Sequence, residues 1–234
     1  NRYKRGTINK MNIITVKWGD KYSCEDVNKL YSSIVNMLQW GEHEDSINFY
    51  CYTEDSIGLN YNINWLPLKD YGLDGVWNKL AMFKEGILPP GKWLYLDLDV
   101  IIQHRLDDLY MDANEFTMVK CYWKPIEVLR DDWVFEGRTI RDHDLNSSVM
   151  VFYHDENHHI WEHFYENPED YMMAYPGIDG FIYCEGFKPK NYWEQGLIYS
   201  KYYGHEENSW HNPPDEPYYL PDATICLLNG PQKV

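Results

Sequence analysis

The sequence predicts an α/β domain with a mostly parallel central sheet flanked by helices. Three observations carry that expectation. Strand-like apolar runs alternate with helical-period segments through the first half of the chain, as they do when helical crossovers join parallel strands. Hydrophobic residues make up 44% of 234 residues and aromatics 17%, ample material for one packed core. The apolar run Trp93-Leu94-Tyr95-Leu96 leads straight into Asp97-Leu98-Asp99, as a central strand does when it delivers its C-terminal end to a ligand crevice.

Residues 1–11 read as a polar, basic arm. Asn12–Lys17 reads as a first strand. Ser23 is a helix N-cap with Asp26 three residues on, a partial capping box, and Val27, Leu30, Tyr31, Ile34, Val35 and Leu38 follow at helical spacing until Gly41. Ile47–Tyr52 and Ile63–Leu66 read as strands two and three. Asp74–Glu85 reads as a helix, Pro89-Pro90-Gly91 as a turn into the strand 93–96, and Leu106–Tyr110 as a short helical turn. Phe116–Tyr122 and Ser148–Tyr153 read as strands separated by a polar loop at 124–145. Asn157–Tyr165 reads as a helix and Thr224–Leu228 as a last strand. Residues 176–223, rich in Gly, Pro, Tyr and Trp, show no clear period and read as an irregular acceptor-binding region rather than a second domain.

The formal net charge is −16, which argues against nucleic acid as a partner, because phosphate backbones demand a positive surface. It argues equally against an electrostatic hold on anionic membranes. No apolar run nears membrane-spanning length and no signal-peptide pattern is seen. The five cysteines (24, 51, 121, 184 and 226) form no Cys-x-x-Cys pair and read as reduced thiols of a cytoplasmic protein.

Asp97 and Asp99 carry the chemistry. Along a strand alternate side chains share a face, so both carboxylates point one way while Leu98 turns to the core. Two carboxylates on one side of a buried strand end are costly without a positive partner. A hard divalent metal fits, and such a metal also holds a diphosphate.

Trp18-Gly19-Asp20-Lys21-Tyr22, Trp77-Asn78-Lys79, Tyr95-Leu96-Asp97-Leu98-Asp99, Asn146-Ser147-Ser148-Val149-Met150 and Asn229-Gly230-x-x-Lys233 follow in that order. The set resembles the GT-A fold glycosyltransferases, most closely glycosyltransferase family eight and its bacterial and phage relatives, from about residue 12 to the end. The resemblance implies one domain over 12–234, with a nucleotide-binding half at 12–105 and a donor-sugar and acceptor half at 106–234. It implies that Asp20 and Tyr22 hold the base and ribose, with Thr53-Glu54-Asp55 beside them, and that Lys79 reaches the donor. Asp97 and Asp99 would bind Mn²⁺ or Mg²⁺, and Lys233 would grip the β-phosphate. The family's third metal ligand is a histidine, and Asn229 stands there in this chain. Asn146 would bind sugar hydroxyls, with Ser147 and Ser148 leaving room for the ring and Asp142 and Asp144 nearby. The family's Asp-Gln pair at the reaction centre is matched only by Asp179, followed here by Gly180. Trp193 and Ser200-Lys201-Tyr202 would close over acceptor or phosphates.

The implied activity is transfer of a sugar from a nucleotide diphosphate donor, UDP-linked by preference, to a hydroxyl of a glycan, lipid or protein acceptor, with retention. Two other readings stand beside it: a degenerate, non-catalytic protein that binds glycan or nucleotide, and a nucleotidyltransferase, for which Trp18-Gly19-Asp20-Lys21 is poor in glycine and basic residues. His158, His159 and His163 read as a solvated or packed helix face rather than a zinc site, since the pattern is not His-Glu-x-x-His.

Overall fold

The computed structural model describes residues 10–38, 46–124, 143–206, 209, 213 and 215–229, and the backbone of 132–135 and 138–141. The first strand, β1, is Met11–Lys17. Helix α1 (Cys24–Asn36) opens on a full capping box: the Ser23 side chain accepts from the Asp26 N–H, and the Asp26 carboxylate accepts from the Ser23 N–H. It ends with the Met37 N–H bonded to the Ile34 and Val35 carbonyls, so Gly41, which lies outside the described residues, is not its stop. Strands β2 (Ile47–Thr53) and β3 (Asn64–Pro67) follow.

The segment expected as a helix over 74–85 is a 3₁₀ helix, Gly75–Phe83. Two features work against an α-helix here. Every side chain from Trp77 to Phe83 is buried, so that stretch has no solvent face. The Asn78 amide donates to the Leu73 and Gly75 carbonyls, each at 3.1 Å, and so competes for acceptors that a regular α turn would use.

Next come β4 (Lys92–Leu96), a short β5 (Val100–Ile102) that periodicity had not marked, α2 (Asp107–Asp112) and β6 (Thr117–Lys120). The polar loop expected at 124–145 contains an antiparallel hairpin of β7 (Asp132–Phe135) and β8 (Arg138–Arg141), each strand of four residues and too short to show a period. Strand β9 (Leu145–Tyr153) begins three residues before the expected Ser148, which puts Asn146 inside a strand rather than at a junction.

Helix α3 (His154–Glu166) also starts early. A tertiary contact fixes its start: the His154 N–H donates to the Gly91 carbonyl and the Asp155 carboxylate accepts from the Gly91 N–H, both at 2.9 Å. Helix α4 (Pro168–Ala174) has Pro at its first position, where a missing N–H costs nothing. Helix α5 (Ile178–Cys184), β10 (Asn191–Tyr192), β11 (Ile198–Ser200) and β12 (Ile225–Leu227) give the irregular region its order.

The main sheet runs β10-β6-β9-β4-β1-β2-β3. The β1–β2, β1–β4, β2–β3 and β6–β10 pairs are parallel, and β9 is antiparallel to both β4 and β6. Strands β11, β12 and β5 form a second small sheet.

Side-chain alternation divides the core in two. Ile13, Leu94 and Leu96 face α1, where Val27, Leu30 and Ile34 meet them. Ile14, Trp93 and Tyr95 face the 3₁₀ segment with α3 and α5, where Trp77 stacks on Phe164 at 5.3 Å. Most of the aromatic surplus is spent in this second core. His163, from the histidine-rich helix, lies 3.1 Å from Glu185 and 2.8 Å from the Tyr171 hydroxyl. All five cysteines are free, and burial pushes the Cys51 thiol up to about 12. No described helix is long and apolar enough to cross a membrane.

Two outcomes test this packing. Ser23→Ala should lower the unfolding free energy by about 1 kcal/mol in urea titration, the usual worth of an N-cap. His154 is buried, its Nε2–H donates to the Lys84 carbonyl at 3.0 Å, and burial holds the imidazole below its usual range. The folded chain therefore keeps His154 neutral while the unfolded chain takes a proton near pH ~6.5. Its contribution is full above that value and fades as pH falls. Between about pH 7.5 and about pH 5.5 the parent should lose more stability than His154→Gln.

Candidate functional site

The site forms at the C-terminal edge of the sheet. Strand β4 stops at Leu96, so Asp97, Leu98 and Asp99 sit in a turn between β4 and β5 rather than on the expected strand. The antiparallel partner β9 holds the start of that turn: the Asp97 N–H donates to the Ser148 carbonyl at 2.8 Å. Both carboxylates still face one cleft of about 110 Å³, so the expected common face survives although its cause is turn geometry.

Each carboxylate has protein donors. The Lys79 ammonium lies 2.7 and 2.8 Å from the two oxygens of Asp97, and the Tyr95 hydroxyl donates to one of them. The Lys79 side chain is 6% exposed and that of Asp97 16%, so the pair is shielded from water. The Tyr22 hydroxyl donates to Asp99 at 3.0 Å, and Lys21 lies over the Tyr22 ring, 4.8 Å from its centre. Burial, followed by the Asp99 charge, pushes the Tyr22 phenol well above its usual range. Burial and the Asp97 charge do the same to Tyr95. Both tyrosines are therefore fixed as neutral donors to the carboxylates.

The C-terminal strand meets the acidic turn. The Leu228 N–H donates to the Asp99 carbonyl at 3.2 Å, which brings Asn229 alongside. The Ser200 hydroxyl donates to the Asn229 backbone carbonyl at 3.0 Å. Among the described residues, the Asn229 side-chain oxygen is buried with no hydrogen-bond partner. A buried amide oxygen left open is costly unless something positive reaches it. Asn229 does not line the cleft, so the donor atoms brought together there are the carboxylate oxygens of Asp97 and Asp99, hard ligands of the kind Mg²⁺ or Mn²⁺ takes. No group of three or more His, Cys, Asp or Glu side chains is placed to hold a metal among the described residues.

The other expected residues are dispersed. Asp179 accepts from the Ser147 N–H at 3.0 Å, which ties α5 to the entrance of β9. The Asn146 side chain accepts from the Ser148 N–H at 2.9 Å. Asp144 lies 3.7 Å from Lys120, two strands across from Asp97. Asn146, Asp144 and Asp179 do not line the Asp97–Asp99 cleft, and neither does Asp20, which is exposed on the loop after β1. Lys233 and Asp142 lie outside the described residues. Trp18 and Lys21 line the cleft and were not singled out from sequence, although both fall in the loop whose neighbours were.

The fold, a seven-stranded, mostly parallel sheet with flanking helices, is the GT-A fold seen in solved glycosyltransferases. The galactosyltransferase LgtC, solved in complex with donor and acceptor sugar analogs, superposes with a TM-score of 0.59 at 16% identity over 94% of this chain and 88% of that one. An active-site mutant of LgtC gives 0.58, again at 16% identity and the same coverage. The glycosyltransferase GlyE of Streptococcus pneumoniae TIGR4 gives 0.56 at 13% identity over 95% of this chain, which spans 56% of GlyE. No family model and no curated protein matches the sequence.

A double-mutant cycle in urea tests the shielded ion pair. Lys79→Met should cost about 3–5 kcal/mol, because it leaves Asp97 without its cation. The double variant Lys79→Met/Asp97→Asn should recover much of that loss.

Proposed function

We propose that the protein is a metal-dependent glycosyltransferase that moves a sugar from a nucleotide diphosphate donor, UDP-linked by preference, to an acceptor hydroxyl with retention at the anomeric carbon. One observation carries the reading: Asp97 and Asp99 face a single cleft at the end of the central strand, and Asn229, two residues past β12, follows the residue whose N–H donates to the Asp99 carbonyl. The fold shared with LgtC and GlyE supports it.

Asp97, Asp99 and Asn229 would hold Mn²⁺ or Mg²⁺. The ion would supply Lewis-acid neutralisation of the departing diphosphate. Lys79 and Lys21 place two cations in the cleft of a chain whose net charge is −16, and both suit an anionic ligand. Tyr22 and Asp20, on the loop after β1, would hold base and ribose. Lys233 would meet the β-phosphate. Asn146 and Asp144 near the β9 entrance, with Asp179 on α5, would line the sugar and acceptor side, so that 12–105 serves the nucleotide and 106–234 the sugar. In the reaction the anomeric carbon–oxygen bond to the diphosphate breaks. A bond forms from the acceptor oxygen, whose proton leaves with the diphosphate. Retention is the outcome that the resemblance to glycosyltransferase family eight implies.

A panel of nucleotide sugars, incubated with the protein and Mn²⁺ and assayed for released nucleoside diphosphate, tests the proposal. At least one donor should be turned over, and Asp99→Ala should lower that rate by about a hundredfold or more. No turnover with any donor, together with glycan binding that is indifferent to EDTA, would replace the transferase with a binding protein. Release of pyrophosphate would point to nucleotidyl transfer.

A further inference from the structure

Glu54 was expected beside the nucleotide pocket, yet it does not line the cleft. Its carboxylate turns to the loop after β1 and accepts from the Gly19 N–H at 2.5 Å, while its second oxygen accepts from the Thr53 hydroxyl at 3.2 Å. The Gly19 carbonyl is held from the other side, by the buried Lys17 ammonium at 3.3 Å. Gly19 has φ of +54°, a left-handed conformation that side chains other than glycine rarely take, so the loop reverses at the residue that is gripped.

The support behind Glu54 is rigid. Lys17 and Thr53 are register partners in the parallel β1–β2 pair, so Gly19 and Glu54 emerge side by side past the sheet edge. Thr53 is fully buried, and its carbonyl accepts from the Trp65 indole at 2.9 Å and from the Leu68 N–H at 3.0 Å. Three residues after Gly19 comes Tyr22, bonded to Asp99. The loop is thus fixed at both ends, at Gly19 by Glu54 and at Tyr22 by the acidic turn.

We propose that Glu54 is a positioning residue for the nucleotide: through the Gly19 N–H it sets the conformation of loop 18–22, which presents Trp18, Lys21 and Tyr22 to the base and ribose. The proposal rests on the nucleotide-binding reading above. A carboxylate suits the task because a charge-assisted bond to a backbone N–H is about twice as strong as a neutral one. It fixes the loop before the ligand arrives, so less ordering is left for binding to offset.

The test is calorimetric titration of UDP, with ADP, GDP and CDP in parallel, in the presence of Mn²⁺. It is run on the parent, Glu54→Ala and Glu54→Gln, and amide hydrogen exchange of the 18–22 peptide is followed in all three. Glu54→Ala should weaken the best nucleotide by about tenfold or more. It should also speed exchange in that loop while leaving the β4 peptide unchanged. Glu54→Gln keeps an oxygen that can accept from Gly19, and it should restore most of both properties. A parent that binds and a Glu54→Ala that binds equally well would overturn the positioning role and leave the transferase reading standing. Weaker binding with unchanged loop exchange would also overturn it, because Glu54 would then act on the nucleotide directly. A parent that binds none of the four nucleotides removes the nucleotide-binding reading, and the role of Glu54 with it.

Discussion

Neutralisation of Asp97 is the constraint on which the site depends. A carboxylate at the end of a buried central strand cannot remain there unpaired. The chain meets that demand with Lys79 from the 3₁₀ segment and with Tyr95 from the same strand, two residues earlier. The pairing binds sheet and 3₁₀ segment together: Lys79 can reach Asp97 only if Trp77, Leu80 and Phe83 are packed against the second core. Packing, electrostatics and site geometry are therefore one problem. A single loss at Lys79 would be felt in both stability and ligand binding.

If the cleft takes metal and nucleotide as proposed, the bonds within it must exchange. Asp97 holds an ammonium and Asp99 holds a phenol, so a cation entering the cleft meets carboxylates that already have donors. Asn229, which does not line the cleft, has a buried side-chain oxygen without a partner among the described residues. Exchange of Lys79 from Asp97 to a diphosphate, and of Tyr22 from Asp99 to a base, would free both carboxylates without leaving a charge unpaired. On that view metal and nucleotide enter together.

The sheet, α1 with its capping box and the paired aspartates were legible because each has a local signal: two-residue alternation, an N-cap with a partner three residues on, and an apolar run ending in acid. Elements whose form depends on distant residues were not. The 3₁₀ segment looks helical by apolar spacing, and burial of every side chain from Trp77 to Phe83 with the Asn78 amide bonds overrides that. Helix α3 begins where Gly91 grips it, and Asp155 lies 64 residues further along the chain, so no local cue marks that start. Hairpin β7–β8 has strands of only four residues, too short for alternation to mark them. At the site, Lys79 was found by pattern, but its bond to Asp97 was not, because helix-to-turn contacts leave no spacing to read. Glu54 shows the same limit, since a carboxylate that accepts from a backbone N–H looks in sequence like any acid after a strand.

Anomalous diffraction from a crystal soaked in MnCl₂ and UDP, or in whichever nucleoside diphosphate binds tightest, bears most directly on the role of the acidic turn. Expected is a manganese peak within bonding distance of Asp97 and Asp99, with Lys79 or Tyr22 moved off its carboxylate. A turn without manganese, with nucleotide bound elsewhere and the Lys79–Asp97 and Tyr22–Asp99 bonds unchanged, would contradict it.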